Sequence, residues 1–337
     1  MCSSDLKNAP ERSSRWTCRR IAGSAASARA SGVEREPGQT TASVTPARTH
    51  SSTSVAAKVA WTSAGSGAVG GVGMQRQESP AVRLHGERAG SGPRLVLLHG
   101  FGQTARCWGP LAADLAADHE VVRLDAPGHG GSAAVEADLP TTGRLVAAAG
   151  GPAVYVGYSM GARMALHVAT EAPEVVRGLV LVGGTPGIED DAERAERRAA
   201  DLARARRIRE EGVDAFVERW LRLPMFAGLP AWARFEDERR RNTAEGLARS
   251  LELAGTGAQA PLWDRLGAID VPVLVVAGAE DEKYAAIATR TAAAIGPNAR
   301  AALVPGAGHS AHLERPAEVV ALVRGWLAAT GLGAPAP

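Results

Sequence analysis

One serine stands in the sequence context that nucleophilic catalysis requires. The apolar run from Ala153 to Val156 leads directly into a G-x-S-x-G motif, Gly157-Tyr158-Ser159-Met160-Gly161. A chain that turns at once from a buried strand into a helix strains the backbone at the turn, and side chains at the flanking glycines would obstruct it. Ala162 to Glu171 then have the composition of a helix. We therefore expect Ser159 to be an activated hydroxyl presented at the end of a strand.

A serine hydroxyl needs an imidazole to accept its proton, and the imidazole needs a carboxylate to fix its tautomer. Asp281 lies just after the predicted strand Val271 to Ala277, and His309 follows a further strand, in Gly306-Ala307-Gly308-His309. Both residues are therefore expected on loops at the carboxyl ends of strands. We predict a catalytic triad of Ser159, Asp281 and His309, in that chain order.

Other residues compete for the roles of acid and base. Glu280 and Glu282 flank Asp281, but a shift of one residue directs a side chain elsewhere, so Asp281 is preferred. His312 is the rival of His309. It stands where the C-terminal helix is expected to begin, and we interpret it as a helix-start or pocket-lining residue.

Backbone amides are needed to stabilise the negative charge that develops on a substrate oxygen. Met160, directly after the serine, supplies one amide. The second is expected from His99-Gly100-Phe101-Gly102, where glycines let the backbone approach a substrate, and we assign it to Phe101. The side chain of His99 is expected to brace this loop. Asp125 also ends a predicted strand, and we expect it to shape a loop rather than to act as the triad acid.

Short, nearly continuous apolar runs alternate with helical segments from Val82 onward. Such runs are typical of parallel strands that helices cover on both faces, so we predict an α/β fold with a mostly parallel sheet. The predicted strands are Arg94 to Leu98, Val121 to Leu124, Ala153 to Val156, Leu179 to Val182, Val271 to Ala277 and Ala301 to Val304. The predicted helices are Leu111 to Ala117, Met160 to Glu171, Tyr284 to Ile295 and Ala317 to Ala329.

The region between Pro186 and Leu266 departs from this alternation, because it is one long helical segment rich in arginine and glutamate. An insertion of this size after a strand is typical of a helical lid. We therefore predict a core in two parts, 78–185 and 267–331, with a lid over 186–266 between them. We expect the segment from Gly130 to Gly151 to be short and irregular because it contains proline and glycine.

The composition argues against several classes of protein. The net charge is +2, from 38 basic and 36 acidic residues, which favours neither nucleic acid nor an anionic membrane as a partner. Cys2, Cys18 and Cys107 lack the spacing of a disulfide framework or a zinc site. No run approaches the roughly 18 apolar residues of a membrane helix, and the N-terminus has no apolar signal region. We expect a cytoplasmic protein without a metal site.

The N-terminal residues 1–77 are rich in small and polar residues and show no helical or strand periodicity. Such a segment buries too little apolar surface to fold, so we expect it to be disordered, like residues 332–337. Met74 is a candidate start of the native protein, and a genuine flexible tail is the alternative.

Taken together, the motifs resemble a known enzyme family. The chain order of the triad is that of α/β-hydrolases. Gly157 to Arg163, His99 to Phe101 and Gly306 to His309 closely resemble 2-succinyl-6-hydroxy-2,4-cyclohexadiene-1-carboxylate synthase of menaquinone biosynthesis, over about residues 82–329. The resemblance implies a lyase that eliminates pyruvate from 2-succinyl-5-enolpyruvyl-6-hydroxy-3-cyclohexene-1-carboxylate. The triad would then abstract a ring proton, and no cofactor would be required.

A substrate with three carboxylates requires several arginines in its pocket, because guanidinium groups bind carboxylates bidentately. Arg163 lies one helical turn after Ser159 on the same face of the predicted helix, so we expect it to point into the active site. The alternative for Arg163 is an ion pair on the surface. Tyr158, beside the nucleophile, is expected to line the same pocket.

The resemblance also implies binding residues in the lid. It places one arginine near Arg197 and another between Arg239 and Arg241, with the register left open. Trp220 matches a lid tryptophan that faces the substrate in the family. The alternative for most lid arginines is a solvated helix face, and the alternative for the tryptophan is an anchor between packed helices.

Two other functions compete with the lyase. A carboxylesterase or carbon–carbon bond hydrolase would use the same triad through an acyl-enzyme. The arginines discriminate, because an apolar ester needs neither Arg163 nor a second pocket arginine. A non-catalytic binding protein would not need the full triad. We expect a small polycarboxylate as substrate, and a monomer or weak homo-oligomer.

Overall fold

The structure is a computed structural model that describes residues 82–333. The sequence predictions for residues 1–77 and, within the predicted tail 332–337, for residues 334–337 therefore lie outside the described residues. Within the described range, strands and helices alternate along the chain. No helix in this range combines the length and apolarity needed to cross a membrane.

Seven strands in residues 82–333 form one sheet in the spatial order β1-β3-β2-β4-β5-β6-β7. The strands are β1 (Gly86–Ala89), β2 (Arg94–Leu98), β3 (Glu120–Leu124), β4 (Ala153–Tyr158), β5 (Val176–Val182), β6 (Val273–Gly278) and β7 (Ala299–Val304). Only β1 is antiparallel to its neighbour. The predicted mostly parallel sheet is confirmed. The sequence analysis missed β1 because its four residues, Gly-Glu-Arg-Ala, contain no apolar run.

The helices of the described range pack on the sheet or in the insertion between β5 and β6. They are α1 (Gly109–Leu115), α2 (Leu139–Gly150), α3 (Met160–Glu171), α4 (Asp191–Leu221), α5 (Glu236–Arg240), α6 (Ala244–Ala254), α7 (Glu282–Ile295), α8 (Ala311–Glu314) and α9 (Pro316–Ala329). Alternate strand residues face two apolar layers: Val96 and Leu98 pack with α2, α3 and α7, whereas Leu95 and Leu97 pack with α1 and α9. The strands are continuously apolar because both of their faces are buried.

The expectation of an irregular segment before β4 was wrong. Residues 139–150 form the helix α2, in which Pro140 occupies the first turn, where a missing amide hydrogen costs nothing. The side chain of Asp138 caps this helix by accepting a hydrogen bond of 2.8 Å from the amide of Thr141. Gly143 lies against the backbone of His167 in α3, where a Cβ atom would come within 2.7 Å of the carbonyl. The glycine thus permits close helix packing rather than ending the helix.

The insertion between β5 and β6 contains α4, α5 and α6 and has an apolar cluster of its own. Ile208, Phe216 and Leu247 belong to this cluster. Gly212 interrupts α4 with φ of 79° and ψ of 176°, a conformation essentially restricted to glycine. The helix α4 is therefore kinked at Gly212.

Candidate active site

Ser159 occupies the turn between β4 and α3. Its φ of 51° is one of two positive values among non-glycine residues of the described chain. The flanking glycines are required by close backbone contacts: a Cβ atom on Gly157 would lie 2.3 Å from the carbonyl oxygen of Gly161, and one on Gly161 would lie 1.8 Å from that of Leu98. The strained turn presents the serine at the carboxyl edge of the sheet.

His309 lies on the loop after β7 and joins the other two predicted triad residues. Its Nε2 atom is 3.1 Å from Oγ of Ser159, and its Nδ1 atom is 2.8 Å from Oδ2 of Asp281. Because a carboxylate only accepts, Nδ1–H donates to Asp281 and Nε2 is left to accept the serine proton. The structure thus brings Ser159, His309 and Asp281 into one hydrogen-bonded chain.

Close contact between two loops fixes the distance from acid to base. Gly278 ends β6 just before Asp281, and a Cβ atom there would lie 2.1 Å from the carbonyl oxygen of Gly308. The amide of Glu280 donates to the carbonyl of Ala307 at 2.9 Å. The loop that carries the acid is therefore tied directly to the loop that carries the histidine.

The alternative candidates for the catalytic acid and base do not take part in this hydrogen-bonded chain. His309 bonds to Asp281 rather than to either flanking glutamate. His312 packs against the rings of Tyr158 and Trp108, with centroids 4.4 and 5.0 Å away, and burial lowers its pKa to about 3. Asp125 accepts hydrogen bonds from the amides of Ala105 and Gly131, at 2.7 and 2.8 Å, and from His85. Asp125 therefore shapes a loop, as its position in the sequence indicates.

Phe101 and Met160, whose amides were predicted to hold a substrate oxygen, line the same cavity as Ser159. In the described part of the chain neither amide donates a hydrogen bond to another group. The loop that carries Phe101 is held on both sides of Gly102, whose amide donates to Nε2 of His129 at 3.1 Å and whose carbonyl accepts from Arg239 at 3.2 Å. The role of the Phe101 and Met160 amides as donors to an anionic substrate oxygen stays a prediction.

The cavity has a volume of about 690 Å³ and extends between the sheet edge and the insertion. It is large enough for a small organic acid with several substituents. Its charged lining residues are Arg163, Arg197, Arg204, Lys283, Glu280, Asp281 and Glu314. Its aromatic lining residues are Phe101, Trp220 and Tyr284.

Arg163 reaches the cavity from the first turns of α3, as the spacing from Ser159 predicts. Its side chain is buried and donates to the carbonyl of Ala254 at 2.8 Å and to Oε1 of Gln259 at 3.3 Å. Burial lowers its pKa to about 10, so the group remains a cation at neutral pH. In the described residues no carboxylate forms an ion pair with it. A buried guanidinium without an acidic partner favours an anionic ligand.

Two arginines of α4 reach the cavity on one face of the helix. Arg197 and Arg204 both contact the buried carboxylate of Asp201, with N–O distances of 2.9 and 3.2 Å. Arg197 also donates to Oγ1 of Thr256 at 3.1 Å. One carboxylate therefore positions two guanidinium groups on this wall of the cavity.

Trp220 follows the kink in α4 and lines the cavity. Its ring lies 5.5 Å from those of Phe101 and Phe216, and the guanidinium carbon of Arg204 lies 5.5 Å from its centroid. The tryptophan thus both faces the cavity and anchors the insertion on the loop that carries Phe101.

Three predicted binding residues do not line this cavity. Tyr158 is buried and bonded through its hydroxyl to Oγ of Ser310 at 2.7 Å, because the residue before the nucleophile still belongs to β4 and faces the α1 and α9 side of the sheet. Arg239 is also buried and bonds to backbone carbonyls, so it borders only a narrow recess behind Ser159. Arg241 is exposed beside Glu238 in a separate crevice. We assign Arg241 no binding role.

Sequence reasoning missed several residues of the cavity wall. Arg204 lies seven positions after Arg197, and helical periodicity would have placed both on one face. Lys283 and Tyr284 follow the triad acid within one turn of α7, and burial raises the pKa of Tyr284, whose ring lies 4.5 Å from that of His309. No local signal marks Glu314, because its burial depends on the insertion above it.

Comparisons with known proteins agree with this geometry. The profile of the alpha/beta hydrolase family matches residues 95–322. The 2-succinyl-6-hydroxy-2,4-cyclohexadiene-1-carboxylate synthase of Salmonella newport is 37% identical over 238 residues, which cover 68% of this chain and 91% of that enzyme. The structure of MenH from S. aureus is similar with a TM-score of 0.67 and 30% identity, covering 73% of this chain and 99% of that one.

A solved esterase is also similar. The thermophilic esterase from Thermogutta terrifontis, with malate bound, has a TM-score of 0.64 and 25% identity, covering 73% of this chain and 93% of that one. The family profile spans most of this chain, and the match to the Salmonella newport synthase spans most of that enzyme. The chain therefore belongs to the α/β-hydrolase family and, within it, to the 2-succinyl-6-hydroxy-2,4-cyclohexadiene-1-carboxylate synthases.

Proposed function

We propose that this protein eliminates pyruvate from 2-succinyl-5-enolpyruvyl-6-hydroxy-3-cyclohexene-1-carboxylate to give 2-succinyl-6-hydroxy-2,4-cyclohexadiene-1-carboxylate. The observation that supports this function best is a hydrogen-bonded triad facing a cavity that three arginines line. A substrate with three carboxylates offers each of these guanidinium groups an anionic partner. The names of the relatives assign them the same synthase activity.

The proposed reaction begins at Ser159. His309 accepts the proton of the serine hydroxyl through Nε2, and the serine oxygen removes a proton from the substrate ring. The electron pair of the broken C–H bond forms a ring double bond, and the bond between the ring and the enolpyruvyl oxygen breaks. The leaving group takes the proton from His309 and tautomerises to pyruvate, so the triad returns to its starting state. Asp281 stabilises the imidazolium that forms during the reaction.

The amides of Phe101 and Met160 are proposed to stabilise the negative charge that delocalises onto a substrate carbonyl. Both residues line the cavity that Ser159 also lines. Donors that are already oriented need no rearrangement when the charge develops, which is why such pairs lower a reaction barrier. They would serve the elimination without an acyl-enzyme.

The substrate carboxylates are proposed to bind Arg163, Arg197 and Arg204. Arg163 has no acidic partner in the described chain, and the other two share the single carboxylate of Asp201. An anion therefore gains charge-assisted hydrogen bonds here without displacing an existing ion pair from Arg163. Trp220 is proposed to contact the ring of the substrate.

The first test is pyruvate release from enzymatically generated substrate, with Ser159→Ala as the matched control. Fast release by the native protein and a loss of about 10⁴-fold or more in the variant are expected, because the triad acts as a unit. Release at the same low rate from both proteins would reject the proposal.

The second candidate is a serine esterase, which the similarity to the Thermogutta terrifontis esterase favours. The same triad and amides would then form an acyl-enzyme that water hydrolyses. Turnover of a p-nitrophenyl ester, measured in parallel, separates the two functions. Brisk ester cleavage without pyruvate release would favour the esterase, and slow ester cleavage with fast pyruvate release would favour the lyase.

A further inference from the structure

Glu314 is a carboxylate beside the catalytic histidine that the proposed reaction does not use. It ends α8, and only 8% of the residue is exposed. Its Oε2 atom accepts a hydrogen bond from the amide of Gly308 at 2.7 Å, and its Oε1 atom accepts one from the amide of Ser310 at 2.9 Å. The Gly308 amide belongs to the peptide group 307–308 and the Ser310 amide to the peptide group 309–310, so one carboxylate holds the peptide groups before Gly308 and after His309.

Two glycines make room for the carboxylate of Glu314. A Cβ atom on Gly308 would lie 3.2 Å from Oε2 of Glu314, and one on Gly228 in the insertion would lie 2.4 Å from the same oxygen. Two glycines therefore let backbone from the loop and from the insertion approach the acid closely. In the described residues the carboxylate has amide donors and no ion pair with a basic side chain. Burial of the carboxylate is compensated because each of its two oxygens accepts a hydrogen bond from a backbone amide.

The two hydrogen bonds restrict the orientation of His309. Because peptide groups are planar, holding the groups 307–308 and 309–310 limits the φ and ψ angles of Gly308 and His309 together, and hence the direction of the Cα–Cβ bond of His309. The ring must meet Oγ of Ser159 at 3.1 Å and Oδ2 of Asp281 at 2.8 Å at the same time. An imidazole on a mobile loop would satisfy both only part of the time.

We propose that Glu314 is a positioning residue that holds His309 in the orientation needed to accept the proton of Ser159. The inference rests on the triad of the proposed function, and it concerns the resting protein before any substrate binds. Glutamine at position 314 would keep one acceptor oxygen and turn an amide NH₂ towards the second N–H. Glu314→Gln should therefore weaken the pair of hydrogen bonds to the amides of Gly308 and Ser310, and Glu314→Ala should abolish both.

A fluorophosphonate probe tests the inference independently of the natural substrate. Oγ of Ser159 attacks phosphorus, the P–F bond breaks, fluoride leaves, and His309 takes the hydroxyl proton and passes it to water. We expect the labelling rate to fall about tenfold in Glu314→Gln and about 100-fold in Glu314→Ala, since small misplacements of a catalytic group have effects of this size. The matched control is Glu318→Gln, an exposed acid in the next helix that should label at the native rate.

Histidine-selective ¹⁵N NMR provides a readout that a merely structural role would not change. The Nδ1–H signal of His309, assigned by its absence in His309→Gln, should broaden or disappear in the folded Glu314 variants while their melting curves stay cooperative. Native labelling rates and an unchanged signal in folded Glu314→Ala would overturn the inference. If that variant does not fold, Glu314→Gln decides by the same criteria.

The kinetics of pyruvate release separate positioning from substrate contact. A fall in kcat with an unchanged KM supports positioning, and a rise in KM with an unchanged kcat overturns it. If the native protein releases no pyruvate but its labelling depends on Glu314, the proposed function fails and the positioning role stands.

Discussion

The core and the insertion contribute to the active site in different ways. The core brings Ser159, Asp281 and His309 together from the carboxyl ends of its strands, whose relative positions are fixed by the register of a buried sheet. The insertion supplies Arg197, Arg204 and Trp220 from one face of a kinked helix that packs around its own apolar cluster. The same reaction chemistry can therefore be combined with different binding groups. Changes at the triad residues of the core should lower kcat, whereas changes at the cavity-lining arginines of the insertion should raise KM.

The largest expected effect lies in the core, at the triad acid. Asp281→Asn preserves the shape of the side chain but presents an amide that favours the wrong tautomer of His309. We expect kcat for pyruvate release to fall by about 10⁴-fold with little change in KM. Glu282→Gln, an exposed neighbour in α7, is the control and should retain native kinetics. Equal losses in the two variants would show that local charge, rather than the triad geometry, sets the rate.

The next effect is the loss of stability towards unfolding as the pH falls below 7. We expect it to arise in the core, because histidines titrate in this range and residues 186–266 contain none. Burial lowers the pKa of His167 to about 4, and both of its ring nitrogens lack a hydrogen-bond partner. The imidazole of His167 takes up a proton near pH 6.5 in the unfolded chain but stays neutral at that pH in the folded chain. The stabilisation is therefore complete above pH 6.5 and is lost as the pH falls towards 4.

His167→Leu removes this titrating group without removing a hydrogen bond. We measure the free energy of unfolding by urea denaturation at about pH 7 and pH 5. Between these pH values the variant should lose less of this free energy than the native protein, by on the order of 2 kcal/mol. Identical losses in both proteins would place the acid sensitivity at other groups, such as His129 and His312, whose pKa values burial lowers to about 3.

The smallest expected effect lies in the insertion. Arg197→Met and Arg204→Met should each raise KM about tenfold with kcat nearly unchanged, because each removes charge-assisted hydrogen bonds to the substrate. Arg206→Met is the matched control, since Arg206 is exposed on the same helix. Steady-state pyruvate release is the measurement. A fall in kcat that exceeds the rise in KM would contradict the division between core and insertion.

The comparison also explains which predicted residues the structure brings together. Ser159, Asp281 and His309 each follow a predicted strand, so the topology alone brought them to one edge of the sheet. Arg163 was found because it lies one turn from the serine on a helix whose orientation the motif determines. These inferences depend on spacing within one element or on the order of parallel strands.

Other predictions depended on contacts between elements, and some of those were wrong. Pro140 suggested an irregular segment, yet it opens a helix that packs on α3. Arg241 was a candidate for the pocket, but α5 directs it to a separate crevice. Arg204 was overlooked in a run of charged residues, although Asp201 holds it beside Arg197.

The sequence by itself determined most of the strands, the nucleophile motif and the chain order of the triad, because these follow from apolar runs and from glycines that the backbone requires locally. Only the tertiary structure decided which arginines of the insertion reach the cavity, and that Glu314 faces the two amides around His309. Those arrangements depend on how the insertion packs on the core, where a rotation of one residue along a helix exchanges a solvated side chain for a buried one.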